Sequence, residues 1–133
     1  MKKDIVVPKV EGIGLAIVKE FDEGDEVFKA YFINFNGFPV ENILISSKGY
    51  GMKDDKNIKT TTFRHFFDKV EAFSSQFIEL MTDEVLGINN EFFVTYYVDK
   101  LIYDKKYVFL PEVVTESNFI HIKVLDKEGV LIK

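Results

Sequence analysis

The sequence contains no cysteine and no tryptophan. Without thiols there is no disulfide framework, no thiolate nucleophile and no Cys-ligated zinc or iron–sulfur centre, and the chain fits a reducing compartment. Arginine is almost missing too. Of the 17 basic residues only Arg64 carries a guanidinium, the planar fork that suits bidentate recognition of phosphate and carboxylate. No apolar run reaches the roughly 18 residues of a membrane-spanning helix. The N-terminal "MKKDIVVPKVEG" opens basic, but its "IVV" is too short for a secretory core. A cytoplasmic location is therefore expected, with residues 1–11 as a loose segment ahead of the domain and no membrane contact. The net charge of −5 is spread without blocks, so no broad electrostatic footprint for nucleic acid is expected.

The chain does have apolar and aromatic mass. Its 133 residues fit one domain, 1–133, and 47% hydrophobic content with 14 Phe and 6 Tyr is ample for a packed interior. Short Val/Ile/Phe/Tyr-rich runs alternate with Gly, Asn and Asp clusters, the pattern of an all-β sandwich or barrel of about eight or nine strands. "GLAIVKEF" and "EVFKAYFINF" flank the turn "DEGD" at Asp22–Asp25. The second run, apolar on both sides, reads as a central strand. Asn36-Gly37 marks the next turn, with Pro39 limiting how "VENILISS" begins. "IKTTTFRHFF" reads as a return strand. Phe63, Phe67 and Val70 would also share a helical face, but Thr60-Thr61-Thr62 disfavours a helix interior. A loop or single helical turn at 82–91 follows. The clearest hairpin joins "EFFVTYYV" and "LIYDKKYVFL" through the two-residue turn Asp99-Lys100, and Pro111 stops it. "NFIHIKVL" and "VLIK", joined by "DKEG", make a last hairpin.

The order of these phrases resembles the early-to-middle strands of immunoglobulin-like sandwiches, although the Cys-Trp-Cys hallmark is absent. The expected fold is a single antiparallel β-sandwich of that layout. In addition, "KGYG…KTTTFRHFF", "LGINNEFFVTYYV" and "YDKKYVFLPE" together resemble a group of short bacterial proteins bearing a phenylalanyl-tRNA synthetase alpha-subunit label. That resemblance covers most of the chain but brings no motif of known chemistry. A class II synthetase alpha subunit has a much longer catalytic domain with motif arginines for ATP. The single Arg64 departs from that pattern.

The stretch 46–67 collects the features that resemble a site. Gly49-Tyr50-Gly51 follows a strand, but lacks the third glycine or "GK[ST]" ending of phosphate-binding loops, so a bend using glycine at positive φ is expected, with "MKDDKN" as a solvated loop. Arg64 and His65 are neighbours on a strand and point to opposite faces. His65 and His121 have no carboxylate or third histidine at ligand spacing. The carboxylate pairs Asp54-Asp55, Asp83-Glu84 and Asp22–Asp25 all sit in predicted turns, where ordinary solvated behaviour is expected. Calcium at "MKDDKN" is opposed by the adjacent lysines and the absence of an EF-hand pattern. Ser46, Ser47, Ser74, Ser75 and Ser117 lie in no G-x-S-x-G elbow.

These readings point to binding rather than catalysis, with no catalytic residue, cofactor or metal expected. The hairpin carrying Phe92, Phe93, Tyr96, Tyr97, Tyr103, Tyr107 and Phe109 must place aromatics on both faces. Tyr97 and Tyr103, brought close by the turn, are expected to share an outer patch. Arg64, Tyr97 and Tyr103 are thus the candidate contacts for a protein partner or for self-association. The alternative is a closed β-barrel carrying a small apolar ligand.

Overall fold

The computed structural model describes residues 10–133, so all but the end of the expected N-terminal segment 1–11 lies outside the described residues. Ten strands form, β1 (Ile13–Asp22), β2 (Asp25–Asn34), β3 (Val40–Lys53), β4 (Lys56–Lys59), β5 (Phe63–Val70), β6 (Ser74–Met81), β7 (Asn89–Val98), β8 (Leu101–Phe109), β9 (Ile120–Ile122) and β10 (Lys127–Ile132), with a one-turn helix α1 (Asp83–Leu86) and a 3₁₀ turn at Glu116–Asn118. One sheet has the order β6-β2-β1-β10-β9. In the other, β3 lies beside β7, β7 beside β8, and β4 and β5 share the far side of β3. All pairings are antiparallel, and the sheets pack as an all-β sandwich rather than closing into a barrel.

The sandwich core is aromatic and aliphatic: Phe32, Phe92, Tyr96, Tyr107 and Phe109 are fully buried with Ile13, Leu15, Ile17, Ile43, Ile45 and Val94. Alternation along each strand supplies these side chains from the two facing sides. Phe92 and Phe109 meet edge-on at 5.9 Å, and Tyr96 stacks on Tyr103 at 5.2 Å. Buried Asn34 fastens two of the crossings between sheets. Its amide donates to the carbonyls of Phe38 (2.8 Å), Glu71 (3.1 Å) and Val70 (3.3 Å), and its oxygen accepts from Asn36 N–H at 2.9 Å. The Asn36-Gly37 turn therefore sits where the chain passes from one sheet to the other.

Some local expectations are corrected. Gly49 and Gly51 are not at positive φ and form no bend; they lie inside β3. Their missing Cβ atoms admit Ile88, whose Cδ1 would lie 2.9 Å from a Cβ at Gly49. "MKDDKN" is not a loop either. Only Asp54 and Asp55 turn, at φ 52° and 60°, between β3 and β4. The return strand "IKTTTFRHFF" divides into β4 and β5, which gives the tenth strand. Thr60 ends β4 because its hydroxyl accepts from Gly49 N–H at 2.7 Å, a side-chain bond that competes with continued pairing. Residues 63–70 are strand rather than helix, as expected. Asn89 and Asn90 begin β7 instead of ending the loop, and β9 is confined to Ile120–Ile122.

Candidate interaction surface

The outer sides of the two sheets differ. On the β6-β2-β1-β10-β9 sheet, Ala16, Val18, Ile33 and Ile122 form a second buried cluster, covered by Val124, Leu125 and Leu131. The chain folds its own turn after β9 over that side. Bonds from Leu125 N–H and Asp126 N–H to the Ile122 carbonyl, at 3.1 and 2.8 Å, hold the turn there.

The outer side of the β5-β3-β7-β8 sheet has no such cover among the described residues. Strand parity puts Phe66, Leu44, Phe93, Tyr97 and Ile102 there, exposed by 55, 49, 43, 36 and 49%. Register arranges them in rows across the strands. Phe66 pairs with Leu44, Leu44 with Thr95, and Thr95 with Asp104. The next row runs Arg64, Ser46, Phe93, Lys106. Beyond it, Lys48 pairs with Glu91 and Glu91 with Val108, while Tyr97 pairs with Ile102 at the opposite end. The result is an apolar centre with charges at its margin. Glu91 meets Lys48 at 3.5 Å and Lys106 at 3.9 Å.

Two of the three candidate contacts, Arg64 and Tyr97, lie on this side. Tyr103 does not. The Asp99-Lys100 turn pairs Tyr97 with Ile102 and Tyr96 with Tyr103, so Tyr97 and Tyr103 point to opposite faces and the expected shared patch does not form. Tyr103 packs against the core instead. Leu44, Phe66, Phe93 and Ile102 were missed as surface residues. Counting outward from the two-residue turn would have found Ile102, and the alternation of Ile43, Leu44 and Ile45 would have found Leu44. A half-open hollow of about 470 Å³ lies at the turn end of this sheet, lined by Glu41, Asn42, Tyr97, Asp99 and Lys100. Asn42 helps to form it by adopting φ 49° at the irregularity between Glu41 and Leu44.

The histidines do not make a site together. His65 lies on β5, and His121 on β9 at the far edge of the other sheet. Arg64 and His65 point to opposite faces, as expected; Arg64 faces outward and His65 turns to the partly buried side. There Glu79 Oε1 accepts from Ser47 Oγ at 2.5 Å and contacts His65 Nε2 at 3.0 Å. Serine, histidine and glutamate thus meet, but the carboxylate sits between the other two. Ser47 makes no hydrogen bond to His65, so the serine–histidine–carboxylate order of a nucleophilic triad is not formed. The cluster instead links β3 and β5 of one sheet to β6 of the other. His121 is exposed, 3.2 Å from Asp126 and 3.8 Å from Glu128. Among the described residues, no group of three or more His, Asp or Glu side chains is placed to hold a metal ion.

The shifted hydroxyls are structural. Burial pushes Tyr107 up to about 12 and raises Tyr96 further, while Tyr31 is raised by burial and by donating to Glu20 Oε2 at 2.6 Å. No helix among the described residues is long and apolar enough to cross a membrane. No family model, curated protein or solved structure matches the chain.

Proposed function

We propose that this chain is a non-catalytic protein-interaction domain of the cytoplasm, binding through the outer side of its β5-β3-β7-β8 sheet. The observation that carries this reading is the contrast between the two outer sides. One has its centre covered by the chain's own turn after β9, with Phe77, Leu80 and Ile120 exposed on its edge strands, and the other presents Phe66, Leu44, Phe93, Tyr97 and Ile102 to solvent, three of them on its central strands β3 and β7. Contiguous apolar side chains rimmed by charge are the composition of an interface centre and rim.

An immunoglobulin-like layout is part of the same reading. It is supported by the pairing order β5-β3-β7-β8, which follows C′-C-F-G of such sandwiches, and by β6-β2-β1, which follows E-B-A; the β9–β10 hairpin is an addition beside β1. The carrier alternative has less support, since the sheets do not close and large aromatic side chains fill the space between them.

The test compares Leu44→Glu and Phe93→Glu with Tyr103→Phe in affinity purification of the tagged chain, further copies of itself counted among the partners. A partner held by the wild type and by Tyr103→Phe should be lost from both glutamate variants, with their unfolding midpoints unchanged. Retention by both glutamate variants, or no partner on the wild type, contradicts the reading.

A further inference from the structure

We propose that the partner of this surface is a second copy of the same chain, docked face to face about a two-fold axis that crosses the strands between the Leu44 and Ser46 rows. This rests on the reading of that side as the interaction surface, and it is charge placement that selects the partner and the axis.

Two sheets stacked in the aligned manner lie about 10 Å apart. A two-fold axis in the plane between two copies of this sheet can run along the strands or across them, and each choice fixes what meets what. An axis along the strands places β5 over β8. Arg64 would then face Lys106 of the other copy, and Phe66 would face Asp104. Like charges would meet at the rim and an apolar ring would cover a carboxylate, both unfavourable.

An axis across the strands places each strand over its own counterpart and exchanges the rows. Asp104 then faces Lys106 of the other copy, and by symmetry the same pair forms a second time. Arg64 comes over the Phe66 ring of the other copy, in the geometry of a cation–π contact. Leu44 meets Ser46, Phe93 meets Thr95 and Ile102 meets Val108, while Tyr97 meets Glu91, a carboxylate to which its hydroxyl, unlike the Phe66 ring on Asp104, can donate; no like-charge pair forms near the axis. The long Lys106 side chain can absorb the roughly 30° offset usual between aligned sheets.

Within one copy these charges are underused. Arg64 and Asp104 have no ion-pair or hydrogen-bond partner among the described residues, and Lys106 has only Glu91 at 3.9 Å. The second copy supplies the missing partners.

Sedimentation velocity over a concentration series tests this on the intact chain. The wild type should dimerise. Asp104→Lys and Lys106→Asp should each weaken the dimer at least tenfold, and the double variant carrying both should restore it. Pairing through the free edge of β8 would also set position 104 against 106, so Phe66→Glu, on the strand farthest from β8, is the deciding variant. It must also weaken the dimer. A monomeric wild type, single reversals without effect, or a dimer that survives Phe66→Glu overturns the proposal. If the wild type is monomeric but Leu44→Glu and Phe93→Glu still release a different protein, this inference fails and the interaction surface stands. If those variants release nothing, both fail.

Discussion

Tyr107 Oη is the buried side-chain polar atom left without a hydrogen-bond partner among the described residues. An unsatisfied hydroxyl at 1% exposure costs desolvation with no bond in return. Tyr107→Phe should therefore stabilise the fold by roughly 1 kcal/mol, read as a higher urea midpoint at neutral pH. The same residue sets an alkaline limit. Its hydroxyl moves from 10.0 to about 12 on folding, so between those values the unfolded chain loses a proton that the folded chain keeps. Stability is fully present below pH 10 and declines as pH rises towards 12. Tyr107→Phe should reduce that decline, and a pH–stability curve identical to the wild type would refute the assignment. Nothing in the sequence marked Tyr107 as an orphan. Its aromatic character was legible, but whether a hydroxyl finds a partner depends on which backbone groups the opposite sheet brings near. Asn34 shows the same limit, since its carbonyl partners at Phe38, Val70 and Glu71 come from distant parts of the chain.

Strands and turns were more readable because their signals are local. The Asp99-Lys100 hairpin was set by two flanking β-rich runs and a two-residue gap, and the turn has φ 48° and 69° at those positions. Both residues pay a steric penalty in the left-handed region, which Asn-Gly avoids. Replacing Asp99 by Asn and Lys100 by Gly should raise the thermal midpoint by a few degrees, for a gain of about 1 kcal/mol. An unchanged or lower midpoint in calorimetry would mean that the turn is not strained as described. Facing was legible in the same segment but was misassigned for Tyr103, because two residues near one turn need not share a face. The division of β4 from β5 escaped the sequence for another reason. Thr60 reads as a good strand residue until Gly49 N–H, from another strand, is placed beside its hydroxyl.

For the molecule as a whole, alternation and turn spacing announced a sandwich, and the core follows from that pattern. They did not announce which outer side would be covered. That depends on Val124 and Leu125 folding back over Ala16, Val18 and Ile33, a contact between chain ends that periodicity does not encode. The uncovered side then acquires meaning only by contrast. Hydroxyl-radical footprinting of the chain across a concentration series tests this most directly, because exposed aromatic side chains elsewhere serve as internal references. Phe21 and Phe73 are exposed by 66 and 65% and lie off this surface. Labelling of Phe66, Phe93 and Tyr97 should fall as concentration rises, while Phe21 and Phe73 stay constant. Equal labelling at every concentration, or protection of Phe21 and Phe73 in their place, would contradict the account.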